Sequence, residues 1–150
     1  MKIALLSPKG PLYRHRGGIF RKSLRYQPLT LTTLAALVPA ELGAEVQVYD
    51  EGIQDVPDDL DADLIGITVI TGTAKRAYEL ADRHRAQGRT VVLGGPHVTL
   101  VPAEAADHAD AVVADLDEDM FIIGLVYAGR NIAVLFAVFD RILHEVDQHL

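Results

Sequence analysis

The 150-residue chain contains no cysteine. That removes disulfide frameworks, thiolate zinc sites and cysteine-ligated iron–sulfur clusters from what these residues can build. It also lacks any acid before Glu41: residues 1–40 carry seven bases (Lys2, Lys9, Arg14, Arg16, Arg21, Lys22, Arg25) and no carboxylate. All 21 acids and the other seven bases follow, for a net charge of −7. An acidic body argues against nucleic-acid binding. The basic stretch reads either as a solvated loop or as a surface for a phosphate-bearing ligand or an acidic partner. The N-terminal MKIALLSPKG has too short an apolar run for a signal peptide, so the expected compartment is the cytoplasm. Familiar catalytic motifs are missing too. There is no G-x-G-x-x-G after the first strand, no phosphate-binding G-x-x-x-x-G-K-[ST] and no G-x-S-x-G elbow. A phosphoacceptor receiver would need acids where Ser7 and Thr71 stand.

What is present is the balance of a folded domain, 49% apolar and 23% charged, with length for one core. Short apolar runs alternate with helical stretches. Ile3–Leu6, Val46–Tyr49, Leu64–Ile70, Val91–Leu93 and Ala111–Ala114 read as strands. Pro28 opens a helix with Leu31, Leu34, Ala35 and Val38 on one face; Pro39 shortens it and Gly43 stops what remains. A second helix carries Ala74, Ala77, Tyr78 and Ala81 as its buried stripe and closes at Gly88, and a short one starts near Pro102. Residues 52–62 are polar, with a proline, and predict no full helix. This alternation predicts a flavodoxin-like, Rossmann-like α/β fold: a doubly wound, five-stranded parallel sheet of order 2-1-3-4-5 in three α/β/α layers.

The tail reads differently. Phe121–Phe139 holds a single charge, Arg130, beside Gly129 and Asn131, a combination that argues against a membrane span. The pattern instead predicts one helix ending near Gly129 and another from about Ile132 to His149, with Val134, Leu135, Val138, Ile142 and Val146 in a stripe. The expected division is a Rossmann-like domain over 1–118 and apolar helices over 119–150, packing on it or on a partner subunit as a homo-oligomer contact.

In open α/β sheets ligands bind beyond the carboxyl ends of the strands, where strand order reverses. The residues delivered there are Ser7, Thr68, the Thr71-Gly72-Thr73 turn, and Gly94-Gly95-Pro96-His97 with Thr99. Glycines admit close backbone approach, and threonine hydroxyls can bond a ligand's amides or cap a helix. His97 can serve a ligand, a metal or the core. The other five histidines show no metal-ligand spacing with acids.

The segments SPKGPLYRHRGGIFRKSLRYQPLTLTTLAALVP, DEGI, DADLIGITVITGTAKRAYELAD and VVLGGPHVTLVPAEAADHADAVV, in this order over roughly residues 1–113, resemble the N-terminal cobalamin (B12)-binding domain of B12-dependent radical SAM proteins. The resemblance implies cobalamin held at Ser7, Thr68, Thr71, Thr73, Gly94, Gly95, His97, Thr99 and Glu118. It implies a non-catalytic module serving a methyltransferase-like radical SAM barrel in cis or trans. S-adenosylmethionine and a 4Fe-4S cluster would belong to that barrel, because C-x-x-x-C-x-x-C is absent here. The chain departs from the family at Asp115, where a glycine is usual, and after about residue 120. It also lacks D-x-H-x-x-G, the motif that supplies cobalt with a histidine in methionine-synthase-type domains. Two other readings remain open at this point: a fold remnant acting as a structural or oligomerisation module without cofactor, and an enzyme using the Lys9–Arg25 loop on a phosphorylated substrate. The second finds no nucleophile–base or paired-carboxylate set at the strand ends.

Overall fold

Strands covered on both faces need apolar side chains at consecutive positions. Ile3, Ala4, Leu5 and Leu6, and likewise Val91, Val92 and Leu93, are all buried. The computed structural model describes residues 1–10, 29–117 and 120–124. The elements are β1 (Lys2–Ser7), α1 (Leu29–Leu37), β2 (Glu45–Asp50), β3 (Leu64–Thr68), α2 (Ala74–Ala86), β4 (Thr90–Gly94), α3 (Pro96–Leu100), α4 (Pro102–Asp107), β5 (Ala111–Asp117) and β6 (Met120–Gly124). The sheet order is β2-β1-β3-β4-β5-β6, with the first five strands parallel. The expected flavodoxin-like order 2-1-3-4-5 is therefore present, with α1 on one face and α2, α3 and α4 on the other.

Side-chain alternation divides the sheet into two faces. Ala4, Leu6, Ile65, Ile67, Val91, Leu93 and Val112 pack with α2, α3 and α4 in the main core. No helix links β2 to β3; Val56 and Leu60 from the irregular connection bury themselves in this core in its place. On the other face Ile3 and Leu5 meet Leu31, Leu34, Ala35 and Val38 of α1, the stripe read from the sequence. Toward β4 and β5 that face holds only a small cluster of Val92 and Ala111 with Leu64 and Val113. α1 stops two residues before Pro39. A 3₁₀ turn (Ala40–Leu42) follows, and Gly43 ends it at φ +53°.

The tail brings a correction. β5 runs on to Asp117, past the expected end at Ala114, so Asp115 lies within the strand. Met120–Gly124, expected to be helical, forms β6, paired antiparallel with β5 through an irregularity at Asp115/Asp117. Its apolar run suits a strand as well as a helix, and the open edge of β5 offers unpaired backbone groups that decide between them. Glu118 and the predicted helices beyond residue 124 lie outside the described residues. No described helix is long and apolar enough to cross a membrane.

Two measurements check this core. Leu93→Ala removes a fully buried side chain and is expected to cost about 2–5 kcal/mol in urea unfolding. His84 is fully buried, and burial pushes its imidazole below the ordinary 6.5. The unfolded chain therefore binds a proton that the folded chain refuses, and stability falls as pH drops below 6.5. His84→Phe is expected to flatten that dependence in unfolding curves taken at about pH 8 and about pH 5.

Candidate cofactor-binding site

Strand order reverses between β1 and β3. β1 leads to α1 on one face, and β3 leads to α2 on the other. Ser7, Asp50, Thr68 and Gly94 end their strands on this rim. Alternation puts all four on the α1 face, in line with Leu5, Val48, Gly66 and Val92. Beneath them lies an apolar cavity of about 240 Å³, walled by Leu31, Leu34 and Val38 of α1 and floored by the strands from Ile3 and Leu64 up to Thr68, Gly94 and Gly95.

Glycine makes the floor low. A Cβ on Gly66 would stand 3.0 Å from Leu5 Cδ2, and one on Gly94 3.5 Å from Val113 Cβ. Gly95 is the strict case: its φ is +107°, and a Cβ would come within 2.8 Å of the Val69 carbonyl oxygen and 3.2 Å of Thr68 Oγ1. That close approach lets the Val69 N–H donate to Gly94 O (2.7 Å) and the His97 N–H donate to Val69 O (3.1 Å), which locks the exits of β3 and β4 together.

The nine residues expected at the site are placed as follows. Thr68, Gly94 and Gly95 line the cavity, and Ser7 ends β1 on the same face. Thr71 and His97 face each other across the rim, with His97 Nδ1 3.2 Å from Thr71 Oγ1. The His97 ring lies on the α2 side against Tyr78, with centroids 6.2 Å apart. Its buried Nε2 stands 3.7 Å from Glu104 and makes no hydrogen bond among the described residues. Thr73 is buried, and its hydroxyl donates to Ile70 O and accepts from Ile70 N. Thr99 is in α3, its N–H bonded to Gly95 O. Glu118 falls outside the described residues.

Other rim groups came less readily from sequence. Asp50 is buried; its Oδ1 accepts from Gly52 N–H at 2.8 Å, while Oδ2 has no partner among the described residues. Burial, helped by the Glu104 carboxylate facing it outside hydrogen-bond geometry, pushes the Tyr78 phenol up to about 12. The Tyr78 ring stacks on His108 at 4.2 Å, and His108 Nδ1 meets Asp82 at 2.9 Å. Burial alone would raise the Glu51 carboxyl, but hydrogen bonds from Arg76 and from the Lys9 backbone, with the charges of both residues, hold it below its usual range. The signal for these acids was the Asp50-Glu51 pair at the end of an apolar strand.

In a doubly wound sheet, an apolar cavity that reaches the strand ends beside the reversal point marks the class of ligand-binding α/β domains. The family model described as the B12 binding domain matches residues 23–123, more than half of the chain. The chain belongs to the B12-binding domain family, whose cofactor is cobalamin. Among curated proteins it is similar to bacteriochlorophyllide d C-8(2)-methyltransferase of Chlorobaculum tepidum, 44% identical over 86 residues that make up 57% of this chain and 19% of that protein. It is also similar to bacteriochlorophyllide d C-12(1)-methyltransferase of the same organism, 39% identical over 88 residues, with the same 57% and 19% shares. The chain thus matches about a fifth of the length of these relatives.

The two rim glycines are expected to behave differently on substitution. Gly95→Ala meets both the positive φ and the Val69 carbonyl, and should cost about 1–3 kcal/mol in thermal unfolding. Gly94→Ala places its methyl in ordinary contact with Val113 and should change stability by less than about 1 kcal/mol.

Proposed function

We propose that this chain is the cobalamin-carrying module of a B12-dependent radical SAM methyltransferase and is non-catalytic by itself. The observation that carries this reading is the apolar cavity of about 240 Å³ between α1 and the glycine-floored strands, which reaches the carboxyl rim at Thr68, Gly94 and Gly95. Cobalamin combines a wide corrin, ringed with amide side chains, and a tethered dimethylbenzimidazole. The corrin suits the rim, where Gly94 and Gly95 leave the backbone bare and Ser7, Thr68, Thr71 and Thr99 bring hydroxyls. The flat, apolar base suits the cavity beside Leu34 and Gly66. The unpartnered Oδ2 of Asp50 is a buried acceptor at this edge, and amide N–H groups of the cofactor can satisfy it. His97 is turned toward Tyr78 and Thr71 and supports the rim from behind. Glu118, by the family resemblance, completes the contacts.

When bound, cobalamin supplies a transferable methyl group. Radical chemistry on it would require a second domain, in cis or in trans, holding S-adenosylmethionine and a 4Fe-4S cluster, because this chain has no cysteine. The methyltransferase names of the similar proteins, together with their greater length, support that reading. The cytoplasm is the compartment proposed with it.

The test is retention of corrin. Purified protein mixed with hydroxocobalamin or methylcobalamin and passed through gel filtration should elute with equimolar corrin absorbance. Protein eluting free of corrin would overturn the assignment. Leu34→Trp fills the cavity from α1; it should weaken binding about tenfold or more without lowering the melting temperature.

A further inference from the structure

The Glu51 side chain is 1% exposed and does not line the cavity. It stands just past the end of β2, on the face opposite the cavity. Its carboxylate accepts from Arg76 Nε at 2.9 and 3.1 Å and from the Arg76 Nη2 at 2.5 Å. It also accepts from the backbone N–H of Lys9 at 3.0 Å, and Lys9 Nζ lies 3.6 Å away. The Glu51 N–H in turn donates to Ser7 O at 2.9 Å. One residue thus joins the exit of β2, the exit of β1, and the first turn of α2, which follows β3.

This contact crosses the reversal point. With the order β2-β1-β3, the crevice for a ligand opens where β1 and β3 send their chains to opposite faces. Beyond the last paired residues of these strands, Leu6 and Ile67, the ladder between them no longer sets their separation. The Glu51 bridge takes over at that level. A buried ion pair is weak support for stability, since apolar groups of similar volume often serve as well, whereas a two-pronged guanidinium–carboxylate contact fixes geometry.

We propose that Glu51 is a positioning residue for the cobalamin rim: by binding Lys9 N–H and Arg76 together it sets the width of the crevice between the β1 exit and α2. The inference rests on the cobalamin reading.

The test compares Glu51→Ala, Glu51→Gln and Arg76→Lys with wild type, at a temperature where circular dichroism shows each folded. Hydroxocobalamin titration is read beside amide hydrogen exchange at Lys9 and Gly10. Glu51→Ala should raise the cobalamin dissociation constant about tenfold or more and speed exchange at both amides. Glu51→Gln keeps an acceptor for the Lys9 N–H and should recover most of that loss. Arg76→Lys keeps the charge but not the two-pronged contact; it should weaken binding, and it decides the matter alone if Glu51→Ala does not fold. Variants that melt lower yet bind cobalamin as wild type does would overturn the positioning role and leave the cobalamin reading intact. Wild type that holds no corrin would overturn both.

Discussion

The rim depends on one close approach. Gly95, without a Cβ and at φ +107°, lets the backbone of the β4 exit lie against Val69. Two hydrogen bonds, Val69 N–H to Gly94 O and His97 N–H to Val69 O, then clamp the exits of β3 and β4. Everything after these exits inherits its position from that clamp. The Thr71–Thr73 turn that starts α2 is on one side, and the Pro96–Leu100 helix with His97 and Thr99 is on the other. Any larger residue at position 95 would push these loops apart.

The asymmetry of the two faces underlies the binding site proposed at this rim. α2, α3, α4 and the buried Val56 and Leu60 pack against one face in the main core. On the other face, among the described residues, α1 alone covers the sheet, over β1 and β2, and the cavity lies where its cover ends. Gly66 and Gly94 deepen that gap, because side chains there would fill it from below. A flat apolar group can therefore enter beside α1, while polar groups meet it at the strand ends. That division of labour suits a cofactor with an apolar base and an amide-ringed corrin.

Charge is arranged to match. The buried acids of the rim sit at the end of β2. Glu51 is balanced by Arg76 and Lys9, and Asp50 keeps one oxygen without a partner among the described residues. The first ties the exits of β1 and β2 to the start of α2. Asp50 and Glu51 are adjacent in sequence but lie on opposite faces, which continues the two-residue alternation of β2.

Much of the fold was legible in the residues themselves. Apolar runs of three to seven residues, separated by a helical stripe at Leu31, Leu34, Ala35 and Val38 and another at Ala74, Ala77, Tyr78 and Ala81, determined a parallel sheet, and its reversal point followed from connection rules. The glycines and threonines gathered at the strand ends marked the rim. Which way each side chain turned was left to the tertiary structure. In a strand buried on both faces, alternation names two faces without saying which carries the cavity. Hence Thr68 lines the cavity, while Thr73 turns back on Ile70 and His97 turns to Thr71. The reach of Glu51 to residues 25 and 42 positions away is a long-range contact that no local pattern encodes. β6 has the same cause: Met120–Gly124 fits either period, and the unpaired edge of β5 made it a strand.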